Sequence, residues 1–352
     1  MDWVESAEAI DGVDQILAAV GLGHGRRKTL AGTWKAGERR PRAARQTQPG
    51  KPAGRRLEVI RAGGWERFSW LRHGFSARAG GVSSIYGEHS LNLGWTKEDD
   101  AAKVAENRRR FLKAAVGGNQ GKLLTIRQFH SGMIRIVEAE DGAREGRLET
   151  ADGRAVLRGD GMMTDVPGVM LGVQVADCVP VLVADVRRRA VAAFHAGWRG
   201  TLARIVERGI GRMGLRYGSR PEDLVAVVGP SIGSCCYSVG EEVRFEFESQ
   251  FAYAPELFSE VYDSDPVRDK YPLLFLTARA PGHSNIGPQI HLDLWEANRR
   301  QLLDAGLKAK RITVIGECTA CARVKGGALK YFSHRGESGF AGRMMGIVGV
   351  AE

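Results

Sequence analysis

The sequence predicts an α+β domain with a mixed sheet, and three observations carry that expectation. Three short apolar runs, VMLGVQV (169–175), VPVLVAD (179–185) and AVAAFH (190–195), follow one another with no helical segment between them. Each is short and Val-rich or Ala-rich, which suits strands buried on both faces. Across the whole chain, strand-like runs outnumber helical ones and do not alternate strictly with them, which argues against a doubly wound parallel sheet. With 352 residues, 43% hydrophobic and 26% charged, the chain can bury roughly 75% of its unfolded surface and needs no staples.

Near the start, Ile10, Val13, Ile16, Leu17 and Val20 fall at helical spacing, so residues 1–23 predict a short amphipathic helix. Residues 24–56 carry eleven Lys/Arg and one acid among Gly and Pro, a composition that predicts a disordered basic linker. The rest of the chain holds 40 basic and 40 acidic residues. The net charge of +10 therefore belongs to the linker and does not mark a nucleic-acid face on the main domain. That domain is expected over 57–352. LEVIRAGG (57–64) and SWLRHGFS (69–76) read as strands, and 98–116 as a helix with Val104, Phe111 and Leu112 on its apolar side. KLLTIRQFH (122–130) reads as a strand ending in His130. After the three apolar strands, Leu202, Ile205, Val206, Ile210 and Met213 predict one helix from about residue 201, with Thr201 as N-cap. DLVAVVGP (223–230) is a strand entering a Gly-Pro turn. Five prolines over 252–288 predict a long loop. A helix around 291–305, a strand RITVIGE (311–317) and the segment KYFSHRGESGFAGRMMGIVGV (330–350) close the domain.

No apolar run approaches the ~20 residues that cross a bilayer. The acidic start MDWVESAEAIDGVDQ lacks the apolar core of a secretory signal, so a cytoplasmic location is expected. Five cysteines, an odd number, then read as reduced thiols.

Three soft or borderline ligands stand at the ends of these strands: His130 in RQFHSG, Cys178 in ADCVP and His195 in FHAGWRG. Two imidazoles and one thiolate form a zinc set with an open fourth position, the arrangement of catalytic rather than structural sites. The same residues support a second reading, a Cys178–His195 thiolate–imidazole pair seventeen residues apart across one hairpin. SCCYSV (234–239) and CTAC (318–321) hold the other four cysteines. Adjacent strand side chains diverge, so Cys235 and Cys236 are not expected to face one metal, and free thiols are the plainer reading. Arg78 in SARAGGVS, Arg199 in GWRGT and Arg335 in SHRGES sit among small residues, where a guanidinium can meet phosphate or carboxylate. Asp177, Asp160 and His73 are further proton-transfer candidates, with Asp177 also able to orient a ligand. GxxxxGK[ST] is absent from the sequence. GIGRMG (209–214) has the GxGxxG spacing but lies inside the helical stretch rather than directly after a strand. GPSIG (229–233) has the GxSxG spacing but sits in the Gly-Pro turn with no helix pattern directly after it. Dinucleotide, P-loop and serine-hydrolase readings therefore lack support.

HGFSARAGGVS, SLNLGW, VAENRRRF, QFHSG, ADCVPVLVAD, AAFHAGWRGT, GPSIGSCCYSVG and FSHRGESGFAGRMM together resemble the bacterial multicopper polyphenol oxidase (laccase-like) family. Its members are described as zinc-dependent purine nucleoside phosphorylases and some as peptidoglycan editing factors. The resemblance runs over roughly 59–350. It implies a cytotoxic-necrotising-factor-like fold, a mixed β-sandwich flanked by helices, with one zinc on His130, Cys178 and His195. It implies phosphorolysis of adenosine, inosine and methylthioadenosine, with adenosine deamination alongside. Purine nucleosides and phosphate are then the partners, and Arg78, Arg199 and Arg335 the phosphate-binding candidates. This sequence has SAR where the family usually has Thr-Arg and SHR where it often has Ser-Tyr-Arg, and Cys321 lies outside the family pattern. The multicopper name conflicts with the ligand count: the chain has eight histidines and not one His-x-His pair. Copper remains a possible substitute for zinc, since it binds such donors more tightly. Two other functions compete, a Cys-His hydrolase editing peptidoglycan precursors and a non-enzymatic adaptor recruited through the basic stretch.

Overall fold

In the computed structural model the described residues are 56–118, 121–139, 155–261 and 289–352. The helix expected within 1–23, the basic stretch before Arg56 and most of the 252–288 loop lie outside them. In chain order the first elements are β1 (Val59–Ile60), β2 (Leu71–Ser76), β3 (Ala79–Ser83), α1 (Ala101–Val116), β4 (Lys122–Thr125) and β5 (Ile134–Ile136). The middle of the chain gives β6 (Gly161–Thr164), β7 (Val169–Val175), β8 (Val179–Asp185), β9 (Val191–Ala196), α2 (Trp198–Leu202), α3 (Ile205–Tyr217) and β10 (Leu224–Val228). The last part supplies β11 (Ser238–Val239), α4 (Glu241–Gln250), β12 (Phe258–Val261), β13 (Gln289–Leu292), α5 (Leu294–Asp304), β14 (Ile312–Val314) and β15 (Met344–Val350).

Two mixed sheets dominate. One has the order β1-β2-β15-β7-β4, with only β4 and β7 parallel; the other runs β14-β10-β8-β9-β6-β5, parallel at its two outer pairs. A small antiparallel sheet, β11-β13-β12, lies apart from both. The two large sheets face each other across a core that joins Phe75, Leu171, Val173 and Val348 to Leu182, Val191, Ala193 and Val227. The opposite face of the six-stranded sheet packs Val181, Val183, Phe194 and Val228 against Ile205, Ile210 and Met213 of α3, with α4 and α5 beside them. Met170, Met345 and Ile347, on the other side of the five-stranded sheet, meet Phe111 and Ala115 of α1. The result is a mixed α+β sandwich covered by helices on both outer faces. Because β7, β8 and β9 are covered on both sides, both faces of each strand are apolar, and this explains their continuous rather than alternating runs.

Local chemistry fixes the ends. Asp100 caps α1 by accepting the Ala102 and Lys103 amides at 2.7 and 3.3 Å, and Gly117 ends it in the left-handed region at φ 84°. Three expectations need correction. β4 stops at Thr125, leaving Arg127 as an isolated bridge, so His130 stands in a loop rather than on a strand end. The helix expected from 201 is two helices broken at Arg204 (φ 53°). Thr201 is buried inside the first of them, its hydroxyl taking a hydrogen bond from Asn298 at 3.1 Å. The closing helix starts at Leu294, capped by Asp293, because residues 289–292 pair as β13.

Candidate metal centre

Cys178 and His195 are brought together by the β8–β9 hairpin. Pro180 lies opposite His195 and Val179 opposite Ala196, so both residues fall at the same end of the pair. Side chains alternate along β9: Ala192 and Phe194 face the helices, Val191 and Ala193 face the opposite sheet. His195 shares the inner face with Ala193 and is buried. His130 reaches the same point from its loop, its ring 5.0 Å from that of His195 and inclined at 70°. The donor atoms of His130, Cys178 and His195 all lie within 4.8 Å of one another, with His130 exposed, Cys178 half-buried and His195 buried.

Two buried carboxylates hold the ligand turns. Asp160 accepts the backbone amides of Phe129, His130 and Ser131 and the Ser131 hydroxyl, and bonds His195 Nδ1 at 2.9 Å. That last bond leaves His195 Nε2 as the free donor to a metal. The three amide bonds to Asp160 hold His130 in the left-handed region, φ 62°, a conformation that costs of order 1 kcal/mol or more in a residue other than glycine. Asp177, at φ 99°, does the same for Cys178. Its carboxylate accepts the Thr319 and Ser333 hydroxyls, both at 2.7 Å, and the Arg335 amide at 2.6 Å.

The electrostatics suit a cation. Burial alone raises the Cys178 thiol, but the His195 charge and hydrogen bonds from both imidazoles outweigh it and bring the thiol down to about 6. Burial lowers His195, yet the Cys178 charge and the Asp160 hydrogen bond carry it up to about 9. Burial would also raise Asp160; its hydrogen bonds from His195 and Ser131 prevail and hold it near 2. A thiolate and two imidazoles converging with one open side fit a borderline cation such as zinc, with room for a fourth ligand.

The glycines around Trp198 and Arg199 are explained by contact. A Cβ on Gly197 would sit 2.8 Å from Cys178 Sγ and 3.3 Å from His130 Cδ2, so only glycine lets the chain pass the ligands. One on Gly200 would press on the His195 and Ser131 carbonyls at 3.2 and 3.4 Å.

The three arginines differ. Arg78 donates to Glu337 at 2.6 Å and to the Tyr86 carbonyl at 2.6 Å and lies over the Phe332 ring. It braces the closing segment. Arg335 bonds the Ser238 carbonyl and hydroxyl and lies 5.4 Å from the Tyr237 ring, while exposed Arg199 stacks on Trp198 at 4.2 Å. Tyr237, which no sequence motif singles out, is half-buried close to the centre: burial raises its phenol, and Cys178, Arg335, Asp177 and Arg199 are all near enough to act on it. His73 belongs to the core instead. It accepts the Ala62 amide at 3.0 Å, packs on Trp65, and falls to about 4 chiefly through burial. A cleft of about 540 Å³ lined by Phe129, Ser131, Met133, Arg208 and Arg212 adjoins the His130 loop, but none of the three ligands lines it.

Residues 72–351 match the family described as multi-copper polyphenol oxidoreductase laccase. The chain belongs to this family. A relative named purine nucleoside phosphorylase YlmD, from Geobacillus stearothermophilus, is 32% identical over 296 residues, 82% of this chain and 96% of its own. A protein named adenosine deaminase RL5, from an unknown prokaryotic organism, is 31% identical over 248 residues, 70% of this chain and 84% of its own. The crystal structure of the Bacillus licheniformis hypothetical protein YfiH aligns with a TM-score of 0.65 at 30% identity, covering 81% of this chain and 94% of that one. The multi-copper laccase name has no counterpart in this site, since among the described residues histidine donors converge only at the triad.

Proposed function

We propose that this protein is a zinc-dependent purine nucleoside phosphorylase that cleaves adenosine, inosine and methylthioadenosine and also deaminates adenosine. The observation that carries the reading is the convergence of His130, Cys178 and His195 within 4.8 Å, open on the His130 side. Relatives named for both activities support it. His130, Cys178 and His195 would hold the zinc, which when bound would supply Lewis acidity for deamination at a purine C6. Copper would compete for the same donors. Asp160 holds His195 and His130 in place, and Asp177 holds Cys178. For phosphorolysis, Arg199 and Arg335 bind phosphate beside the ribose C1 and stabilise charge as the glycosidic bond breaks. Arg78, committed to Glu337 and Tyr86, keeps the Arg335 segment in position. We read 57–352 as the catalytic unit, its sandwich of the cytotoxic-necrotising-factor-like type, and a cytoplasmic location as the fitting one. Among the described residues no helix is long and apolar enough to cross a membrane.

The test is release of free base from inosine and adenosine by metal-analysed protein, with and without phosphate, beside His195→Ala. Phosphate-dependent release that disappears with the variant supports a phosphorylase on this triad. A folded, zinc-loaded protein that releases no base rules it out. One observation favours a second reading: Cys178, His195 and Asp160 are linked as thiol, imidazole and carboxylate, the order of a cysteine hydrolase. Cys178→His separates the two, since a metal ligand partly survives that change and a nucleophile does not.

A further inference from the structure

The remaining four cysteines converge on a second point. Cys235, Cys236, Cys318 and Cys321 place their sulfurs all within 4.8 Å of one another, and Cys235 and Cys321 stand 3.7 Å apart. Tetrahedral thiolates at a Zn–S distance of about 2.3 Å are separated by about 3.8 Å. The objection that adjacent strand side chains diverge does not hold, because Cys235 and Cys236 are not on a strand. They lie in a tight turn in which the Cys236 and Tyr237 amides both bond the Gly233 carbonyl, at 2.9 and 3.0 Å. CTAC is a turn of its own, closed by Ala322 N–H to the Cys318 carbonyl at 2.9 Å. C-x2-C turns are the usual half-sites of structural zinc. Backbone amides also point at a sulfur: Gly233 N–H reaches Cys318 Sγ at 3.3 Å, and those of Ala320 and Cys321 bond it too. Such donors stabilise thiolate charge.

We propose that these four cysteines form a second, structural metal site that takes zinc as a tetrathiolate. Loading exchanges the thiol protons for one Zn2+ and leaves a net charge of −2, which the amides at Cys318 partly offset. No electron transfer is involved. The site joins the loop after β10 to the loop after β14, two segments already stitched by the Ser231–Cys318 bridge and by Thr319 N–H to the Ser231 carbonyl at 3.0 Å. Both loops grip Asp177: Ile232 N–H bonds its carbonyl at 2.9 Å and the Thr319 hydroxyl its carboxylate. A metal here therefore fixes the turn that presents Cys178, as well as Tyr237 beside it.

The test uses the full chain, purified without chelator and under reducing conditions, and does not depend on any activity. Metal analysis is expected to give two zinc ions per chain in the unmodified protein and one in each of two variants, His195→Ala and Cys321→Ser. Because a variant can fail to fold, the unmodified protein is also titrated with Co2+ after metal removal. Two binding steps are expected, one with the strong visible absorption of tetrahedral cobalt tetrathiolate and one weaker, from the two-imidazole site. A protein that holds one metal, lost entirely in His195→Ala, while all four thiols react freely, overturns the proposal. Recovery of these cysteines as disulfides in the metal-free native protein overturns it equally.

Discussion

Replacing Asp160 by Asn tests whether one buried carboxylate assembles the metal centre. The side chain is fully buried and accepts from three consecutive backbone amides, one hydroxyl and the His195 ring. Asn keeps the shape but loses the charge, and its amide nitrogen faces donors where an acceptor is needed. Losing the partner of a metal-bound imidazole typically costs 10–100-fold in affinity. A second magnitude comes from the protonation of Asp160 itself. Its acidity moves from the ordinary 3.8 to about 2, which at about 1.4 kcal/mol per pH unit amounts to about 2 kcal/mol of folding stability in the metal-free protein. Because the folded value is the lower one, this contribution is complete above pH ~4 and is lost as the pH falls towards 2. Chelator competition should therefore show zinc bound about 10–100-fold more weakly by Asp160→Asn. Chemical denaturation of the metal-free forms should show a deficit of about 2 kcal/mol at pH 7 that shrinks towards pH 2. Equal zinc affinity, together with a deficit that does not change with pH, would refute the assignment.

Gly197→Ala puts a methyl group 2.8 Å from Cys178 Sγ; overpacking of that kind costs about 1–3 kcal/mol, and metal analysis should find the triad site largely empty while the cysteine cluster stays loaded. In metal-free protein, alkylation of Cys178 followed by peptide mass spectrometry should rise through pH of about 6, and added zinc should suppress it. A midpoint near the ordinary thiol value would show that the His195 contact is absent. Thr319→Val removes one of two hydroxyls on the Asp177 carboxylate and should lower stability by about 1–3 kcal/mol, read by denaturant unfolding; no change would show that the clamp is redundant. Arg335→Ala should raise the KM for phosphate more than it lowers kcat, and the reverse pattern in steady-state kinetics would remove Arg335 from phosphate binding.

Much of this architecture was legible in the residues, for a physical reason. β7, β8 and β9 are buried on both faces, so their composition alone announces them, and Cys178 and His195 follow from their places at the hairpin's end. His130 was identified by its chemistry but not by its setting. The run KLLTIRQFH carries no breaker, and what bends it is Asp160, thirty residues away, whose hold on three amides leaves no local trace. Asp160 is visible in sequence only as a titratable group and Asp177 as one also able to orient a ligand, but what each of them holds depends on partners that sequence does not bring together. Tyr237 was missed for the same reason. The vicinal cysteines are free thiols, as their sequence context suggests. Their sulfurs converge rather than diverge because they sit in a turn and not on a strand, for which the glycine two residues before Cys235 is a signal in plain view. The arginines looked equivalent in their small-residue contexts, and only the Glu337 and Tyr86 contacts set Arg78 apart.

The hairpin that carries Cys178 and His195 has another end. Its turn, with Arg187, Arg188 and Arg189 exposed and Asp185 accepting the first two of their amides, lies seven strand residues away, about 23 Å at the rise of a β-strand. A short peptide or fluorophore inserted there would ride on the same two strands as the ligands without touching them, giving this enzyme a reporter handle coupled to its centre only through the ladder between the two strands.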